Sequence, residues 1–266
     1  MRLLGALTVL SACVGSLALL PSAVIFPLYI YPGDNCAAWA PLISSISSNP
    51  TLQFLFIVNP ASGPGAVNSQ PDTNYQACVA KLRTTGASSG NNVKIVGYVS
   101  TSWGNRASSA VTADIHTYAQ WATAYRPSGI FFDEAAIETS ALAIYQNYSA
   151  HVKTDFGSSA HITLNPGVAP KDNGYFNIAD LVVTFEGYFA DFNVANLPTS
   201  SATPTSKQAV IIHTTPAQFP SSTLSALTKT FKAGATFLTN YENAVAYHNI
   251  PTYWTTYLSA VVSSQA

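Results

Sequence analysis

The feature that most constrains the fold is a unit of one apolar strand followed by one helix, repeated along the chain. Short apolar runs predict eight strands, over residues 24–31, 53–58, 93–99, 129–134, 161–164, 180–185, 208–212 and 235–238. Apolar residues at helical spacing predict helices over residues 36–48, 75–85, 107–125, 140–156, 223–232 and 252–262. This rhythm predicts an α/β fold, a single (β/α)8 TIM-type barrel over residues 24–266, with one or two degenerate helices after the fifth and sixth strands.

A doubly wound open sheet is the structural alternative. The dinucleotide-binding version of that sheet is excluded, because no Gly-x-Gly-x-x-Gly motif follows any predicted strand.

Composition narrows the class of partner. Hydrophobic residues make up 48% of the 266 residues, enough for a large core, whereas charged residues make up only 9%, far below the usual ~25%. The surface must therefore be formed by Ser, Thr, Asn and Tyr, which suits a protein that meets neutral or polar polymers. With a net charge of −1 and no run of basic residues, the sequence offers no positively charged surface that could bind nucleic acid.

The first 23 residues have the layout of a secretory signal peptide. Arg2 precedes an uncharged apolar run, Leu3 to Leu20, and the small residues of Pro21-Ser22-Ala23 close it. We expect cleavage near Ala23 and a secreted protein, extracellular or associated with the cell wall. The run is also long enough to span a bilayer, so an uncleaved membrane anchor is the alternative.

Cysteine usage agrees with export. Cys13 lies in the signal segment, which leaves Cys36 and Cys78 as an even pair in an oxidising compartment, and we expect them to form a disulfide. Asn147-Tyr148-Ser149 is the one acceptable N-glycosylation sequon and lies on a predicted helix, so Asn147 is a candidate glycosylation site.

Three acids follow apolar strands. Asp133 and Glu134 end the apolar run that begins at Gly129, and Glu186 follows Val182 to Phe185. Active sites of (β/α)8 barrels lie at the C-terminal ends of the strands, so these acids are candidate catalytic residues. An acid on so apolar a strand as that of Glu186 should have a raised pKa, the condition for donating a proton near neutrality. The alternative for Asp133 and Glu134 is a strand that runs out into a solvated loop.

Aromatic, amide and imidazole side chains stand at the other strand ends. Such groups suit a sugar, since rings stack on its apolar faces and polar groups fix its hydroxyls. The candidate substrate-binding residues are Tyr29, Tyr31, Asn59, Tyr98, Trp103, Asn165, His213 and Asn240. Alternatives remain open for several of them: the two Asn-Pro pairs suit turns, the tyrosines suit a barrel core, and His213 could simply end a strand.

Other chemistries have little support. The five histidines show no short metal-ligand spacing, and there is no Cys-x-x-Cys, so we expect no metal and no cofactor. The segment 86–90 matches the nucleophile-elbow pattern literally, but it precedes a strand instead of joining strand to helix.

Five motifs in register resemble the spherulin-4-like family over essentially the whole mature chain. They are Pro27 to Gly33, Phe56 to Pro60 with Ser62 to Gly65, Gly97 to Val99, Gly129 to Glu134, and Phe185-Glu186. The resemblance implies a (β/α)8 glycoside hydrolase that cuts the α-1,4-linked N-acetylgalactosamine stretches of the fungal polysaccharide galactosaminogalactan. The functional acids of the family map onto Asp133, Glu134 and Glu186.

The resemblance also implies the partner, a polysaccharide substrate, and we expect a monomer. Because the 2-acetamido group of an α-linked sugar is cis to the leaving oxygen, the enzyme must supply both catalytic groups. We assign Glu186 as general acid/base, Asp133 as the partner carboxylate and Glu134 as an orienting group; the distance between the first two would decide retention or inversion. A non-catalytic, lectin-like surface protein that holds polysaccharide in the same cup is the alternative function.

Overall fold

The eight apolar runs form eight parallel strands that close into one barrel, in the order β1 to β8 around the ring. The computed structural model describes residues 21–265. The strands are β1 Ala23–Leu28, β2 Phe54–Val58, β3 Val93–Ser100, β4 Gly129–Asp133, β5 His161–Leu164, β6 Leu181–Tyr188, β7 Gln208–His213 and β8 Ala235–Leu238. The predicted (β/α)8 fold is confirmed.

Burial on both faces explains why these strands are apolar throughout. Every residue of β1, β2, β5, β7 and β8 is buried, because helices cover the outside of the barrel and side chains fill its inside. Phe26 contacts the rings of Phe56 and Phe237 at centroid distances of 6.3 and 4.9 Å. The interior is therefore a packed core, and ligands have access only at its ends.

Seven helices surround the strands in the described part of the chain. They are α1 Ala40–Ser48, α2 Thr73–Ser88, α3 Ser108–Ala119, α4 Leu142–Phe156, α5 Tyr175–Ile178, α6 Ser221–Ser225 and α7 Trp254–Ser263. Helix α6 continues as a π-helical segment, Ala226–Phe231. The expected degeneracy is present: α5 after β5 is a single turn, and the described chain between β6 and β7 contains only short 3-10 turns.

Two predicted helices were too long. The first begins at Ala40 instead of residue 36, because Asn35 and Cys36 have left-handed backbones with φ of 55° and 63°. The third ends at Ala119 instead of residue 125. Its chain turns there so that Trp121 lies buried against Tyr118, with ring centroids 4.8 Å apart.

The predicted disulfide is present. Cys36 and Cys78 are bonded, with Cα atoms 5.4 Å apart, and both are buried. The bond ties the segment that follows β1 to helix α2, beside the C-terminal end of the barrel strands where β1 ends.

The described chain begins at residue 21, within the segment predicted as a signal peptide, so that prediction lies mostly outside the described residues. Residues 1–20 lie outside the described chain, whereas Ala23 already pairs with Ala235 of β8. Ser22 is buried, and its hydroxyl donates to the Ala233 carbonyl at 2.5 Å. Ser22 and Ala23 therefore belong to the barrel, one or two residues before the predicted limit. Over residues 21–265, no helix combines the length and the apolar character that a membrane crossing needs.

Candidate active site

The predicted catalytic acids meet at the C-terminal ends of β4 and β6. Asp133 ends β4, Glu134 follows it, and Glu186 lies near the end of β6. They line one open cavity of about 270 Å³, here named the acidic cavity. Its lining consists of Trp103, Asp133, Glu134, Asn165, Pro166, Gly167, Glu186, His213 and Asn243.

Asn165, at the end of the intervening strand β5, joins the two principal acids. Its side-chain Nδ2 donates to Asp133 Oδ1 at 2.7 Å and to Glu186 Oε2 at 2.5 Å. Because both oxygens contact one nitrogen, they can be no farther apart than the two bonds laid end to end, 5.2 Å. The sequence predicted Asn165 as a sugar contact; the structure places it first as the bridge between the acids.

A bulge in β6 aims Glu186 at this point. The pairing of β6 with β7 shifts register between Val183 and Phe185, which leaves Thr184 as an extra residue. The Glu186 backbone N–H then donates to the Gly167 carbonyl at 2.8 Å, which ties the strand end to the loop after β5. Bulges next to active sites commonly redirect a side chain in this way.

Three tyrosines form the floor beneath the acids. Tyr29 is perpendicular to both Tyr98 and Tyr247, with ring centroids 5.6 Å apart in each case. The Tyr247 hydroxyl donates to Glu186 Oε1, and the Tyr98 hydroxyl interacts with Asp133. Each acid is thus held from below by one phenol and from the side by the shared amide.

Burial raises the pKa of both principal acids above the ordinary carboxyl range. For Asp133 the main cause is desolvation, opposed by the hydrogen bonds of Tyr98 and Asn165, which favour the ionised form. For Glu186 desolvation again comes first, and the nearby Asp133 charge raises the pKa further. Two carboxylates this close favour the state that holds one proton, as expected for an acid and its partner. The direction of this shift for Glu186 agrees with the raised pKa that its apolar strand predicted.

Glu134 is held in a strained backbone conformation by the loop after β3. Its φ is 51°, in the left-handed region that non-glycine residues rarely occupy. The Trp103 N–H and the Thr101 hydroxyl donate to its carbonyl at 2.6 and 2.8 Å, and the Ser100 hydroxyl donates to Oε2 at 2.6 Å. Within the described chain, the hydrogen bond to the Glu134 carboxylate is made to Oε2, and its other oxygen, Oε1, accepts none.

Trp103 and His213 form opposite parts of the cavity wall. Trp103 is 62% exposed on the loop after β3, and His213 ends β7 with its imidazole buried. Burial lowers the pKa of His213, so its imidazole is neutral at neutral pH.

Five of the eight predicted substrate-binding residues do not line the acidic cavity: Tyr29 and Tyr98 lie beneath the acids, and Tyr31, Asn59 and Asn240 have other contacts. The Tyr31 ring packs against Tyr75, and its hydroxyl accepts a hydrogen bond from Asn74 at 3.0 Å. Asn59 uses its side-chain oxygen to accept from the Gly63 N–H at 2.8 Å, the turn chemistry that its sequence also allowed. Asn240 accepts from the backbone N–H and the hydroxyl of one residue, Thr252, at 3.0 and 3.1 Å.

Three residues of the site did not stand out in the sequence. Ser100 could have been found, because the period of two along β3 places it on the same face as Tyr98. Asn243 and Tyr247 follow β8 in a segment without periodicity, so no local signal marked them.

A second cavity, of about 220 Å³, lies at the opposite end of the barrel and includes Lys94, His161 and Asp180. Burial and the Lys94 charge lower the pKa of His161 to about 3, so its imidazole is neutral there. The Asp180 carboxylate accepts a hydrogen bond from the Ile162 N–H at 2.8 Å. This cavity has no pair of acids, and this end of the fold generally serves stability.

The family is decided by a match along almost the entire described chain. The model of Spherulin4, described as "Spherulation-specific family 4", matches residues 23–261. The chain belongs to this family. Spherulin-4 of Physarum polycephalum is 39% identical over 166 residues, which cover 62% of this chain and 45% of that protein. The chain therefore spans less than half the length of this curated relative.

Solved structures share the barrel fold of this Spherulin4 family member. The crystal structure of Aspergillus clavatus Sph3 in complex with GalNAc matches with a TM-score of 0.80 and 32% identity, over 91% of this chain and 98% of that chain. A GH5-4 broad-specificity endoglucanase from Clostridium cellulovorans matches with a TM-score of 0.51 and 10% identity, over 94% of each chain, and shows the fold alone. The Sph3 structure is a complex of that protein with GalNAc.

Proposed function

We propose that this Spherulin4 family member is a secreted glycoside hydrolase that cleaves internal α-1,4 linkages in the N-acetylgalactosamine stretches of galactosaminogalactan. The observation that carries the proposal is the pair of carboxylates, Asp133 and Glu186, held on one Asn165 nitrogen at 2.7 and 2.5 Å in an open cavity. Buried acids of raised pKa are costly to keep in a fold, and such pairs cluster where proton transfer is needed.

The pair divides the work of glycoside cleavage. Glu186, protonated, donates its proton to the glycosidic oxygen, and that oxygen leaves with the electron pair of its bond to the anomeric carbon. Asp133, ionised, attacks the same carbon from the opposite face and forms a glycosyl ester. Water then gives a proton to Glu186 and attacks the anomeric carbon, which releases Asp133 as carboxylate.

The separation of the acids favours retention of configuration. Retaining glycosidases hold their carboxyl groups ~5–5.5 Å apart, whereas inverting ones leave ~6.5–9.5 Å for a water. The shared amide limits the facing oxygens of Asp133 and Glu186 to 5.2 Å, which supports direct attack by Asp133.

The choice of sugar rests on relatives. The structure of Sph3 contains GalNAc, and Sph3 is 32% identical to this chain. In an α-linked N-acetylgalactosamine the acetamido group cannot reach the anomeric carbon from the face opposite the leaving oxygen, so two enzyme carboxylates are required. Trp103 would stack on a sugar ring, and Glu134, through its free Oε1, would orient a hydroxyl.

Export is part of the proposal. The Cys36–Cys78 disulfide suits an oxidising compartment, and the apolar run before the barrel suits a signal peptide. Asn147 is exposed on α4, so a glycan there would extend into solvent. A monomeric state remains a prediction.

The test is incubation of the purified protein with galactosaminogalactan, with mass spectrometry of the released oligosaccharides. We expect oligosaccharides of N-acetylgalactosamine, and early product with the α-configuration by NMR. Asp133→Asn and Glu186→Gln should each cut turnover by ~10² or more, as when a general acid/base is lost. Glu134→Gln should reduce turnover by a smaller factor. The matched control is Glu138→Gln, which changes an exposed acid paired with Lys171 and should leave turnover unchanged.

The outcome also separates hydrolase from lectin. A protein that binds the polymer, releases nothing from it or from other hexosaminoglycans, and keeps its affinity in Glu186→Gln would be a lectin. Full activity in Glu186→Gln would remove the proposed acid.

A further inference from the structure

Several large exposed apolar side chains lie on the face where the strands end. Of the six that are exposed among the described residues, Tyr31, Trp103, Val168, Tyr188 and Val245 lie at or after the C-terminal end of a strand. Val67 is the exception, because the backbone N–H of the neighbouring Asn68 donates to Thr117 near the end of α3. The acids open onto the face where the strands end, so the other five side chains and the acidic cavity belong together.

The acidic cavity is small for a polymer. Its volume of about 270 Å³ lies just below the ~300–1,000 Å³ of clefts that enclose a whole drug-sized ligand. A polysaccharide whose reacting bond lies over Asp133 and Glu186 must therefore extend beyond the cavity, and its flanking sugars need surfaces of their own.

Trp103 supplies one such surface. It is 62% exposed, on the loop after β3, yet its backbone is fixed by the 2.6 Å hydrogen bond from its N–H to the Glu134 carbonyl. A ring that is exposed and held in place costs little entropy to bind against.

Tyr188 offers a second surface of the same kind, outside the cavity lining. It lies two residues beyond Glu186 on β6 and is therefore on the same side of the strand, one step farther out. Its ring is 48% exposed and meets the His213 imidazole edge-on, with centroids 4.4 Å apart at 77°. The backbone register also pairs Tyr188 with His213, so strand geometry and ring packing both fix its position.

The two rings stand on different sides of the acids. Tyr188 lies on β6, three strands from β3 in the ring of eight, and its ring packs against His213 of β7, the strand directly across the barrel from β3. Trp103 follows β3, Asp133 and Asn165 lie at the ends of the two strands between β3 and β6, and Glu186 lies on β6 itself.

We propose that the Tyr188 ring, braced by His213, is a second sugar-stacking platform, so that an uncharged hexosamine polymer is held on both sides of the scissile bond by Tyr188 and Trp103. The inference rests on the proposed function and deepens it, because it assigns the residue that makes cleavage depend on chain length. His213 is neutral, so the platform offers an aromatic surface without a positive charge. A stacking contact with a sugar other than the one that reacts is made equally in ground and transition states, so it acts mainly on KM.

The test compares Tyr188→Ala with Tyr188→Phe, which keeps the ring and loses only the hydroxyl. For kinetics, each substitution is made in the wild-type protein. For binding, each is made in the Glu186→Gln background and measured by titration calorimetry. The probes are a disaccharide and a long oligosaccharide of α-1,4-linked N-acetylgalactosamine. Losing one stacking ring should weaken binding of the long probe about tenfold, equivalent to about 1.4 kcal/mol. The disaccharide, which does not reach the platform, should bind Tyr188→Ala as it binds the parent, and Tyr188→Phe should behave as the parent with both probes.

Each result has one meaning. Unchanged affinity of Tyr188→Ala for the long probe, with an unchanged melting temperature, overturns the platform while the proposed hydrolase stands. An equal loss of affinity for both probes would mean that Tyr188 contacts the sugars within the acidic cavity, which would also overturn the second platform. A wild type that neither binds nor cleaves either probe, although correctly folded, overturns the proposed function and the platform with it.

Discussion

Replacing Glu186 by Gln should make the barrel more stable at neutral pH while it removes activity. In the native site the Glu186 and Asp133 oxygens lie within 5.2 Å of each other on one amide nitrogen. Two unit charges at that separation would repel by about 3 kcal/mol at an effective dielectric constant of ~20, so at neutral pH the folded pair holds one proton that the unfolded chain has already lost. The side-chain amide introduced by Glu186→Gln keeps an oxygen to accept from Asn165 and turns its NH₂ toward the Tyr247 hydroxyl, which can rotate to accept.

The expected gain is smaller than that repulsion. The introduced amide needs no proton, but it forms weaker hydrogen bonds than the carboxyl group does, which offsets about half of the benefit. We expect a net increase of about 1–2 kcal/mol in the free energy of unfolding, or roughly 2–8 °C in Tm for a domain of this size. Stability gained on loss of a catalytic acid is the usual trade-off of active sites.

The sign of the pH dependence follows from the raised pKa values. A carboxyl whose pKa is raised on folding keeps its proton in the native state over a range where the unfolded chain has lost it, so native stability falls as pH rises through that range. The advantage of Glu186→Gln should therefore be small at about pH 4, near the ordinary carboxyl pKa, and should grow as the pH rises to about 7.

The assay is thermal or urea unfolding of both proteins at the two pH values, with the disulfide intact. Glu138→Gln serves as control, since its exposed pair with Lys171 contributes little. Two results would refute this reasoning: a Glu186→Gln protein that is less stable than wild type at neutral pH, or one whose stability gain at pH 4 equals its gain at pH 7. Either would show that the proximity of the two acids does not destabilise the fold.

Four further changes test separate parts of the structure. Tyr247→Phe removes a hydrogen bond that lowers the pKa of Glu186, so the basic limb of the pH–rate profile should move to higher pH. If that limb does not move, Tyr247 does not influence the pKa of the catalysing acid. Trp103→Ala should raise KM more than it lowers kcat, because both states of the sugar share the contact, and unchanged KM would contradict stacking. Gly129→Ala would set a Cβ 1.9 Å from a backbone oxygen of β5, so we expect a loss of about 1–3 kcal/mol or more, seen as a lower urea midpoint. Cys36→Ser opens a loop of sequence separation 42, which should cost up to about 4 kcal/mol on the chain-entropy model, seen as a Tm lower by roughly 10 °C.

The sequence alone determined the barrel and the identity of the acids. A strand buried on both faces must be apolar along its whole length, and so eight such strands were visible as local runs. The parallel fold brings every strand end to one face, which made Asp133 and Glu186 candidates from position alone. The disulfide was predicted from an even cysteine count and from the expectation that the chain is exported.

Only the tertiary structure decided which strand-end residues meet. Asn59, Asn165 and Asn240 have similar positions in the sequence, yet one bridges the acids and the other two satisfy neighbouring backbone and hydroxyl groups. Tyr247 reaches Glu186 across 61 residues, and no local pattern encodes a contact of that span. The separation of the acids, and with it the expected stereochemistry, depends on the bulge in β6 and on a shared amide, which are properties of strand register and not of any single stretch of sequence.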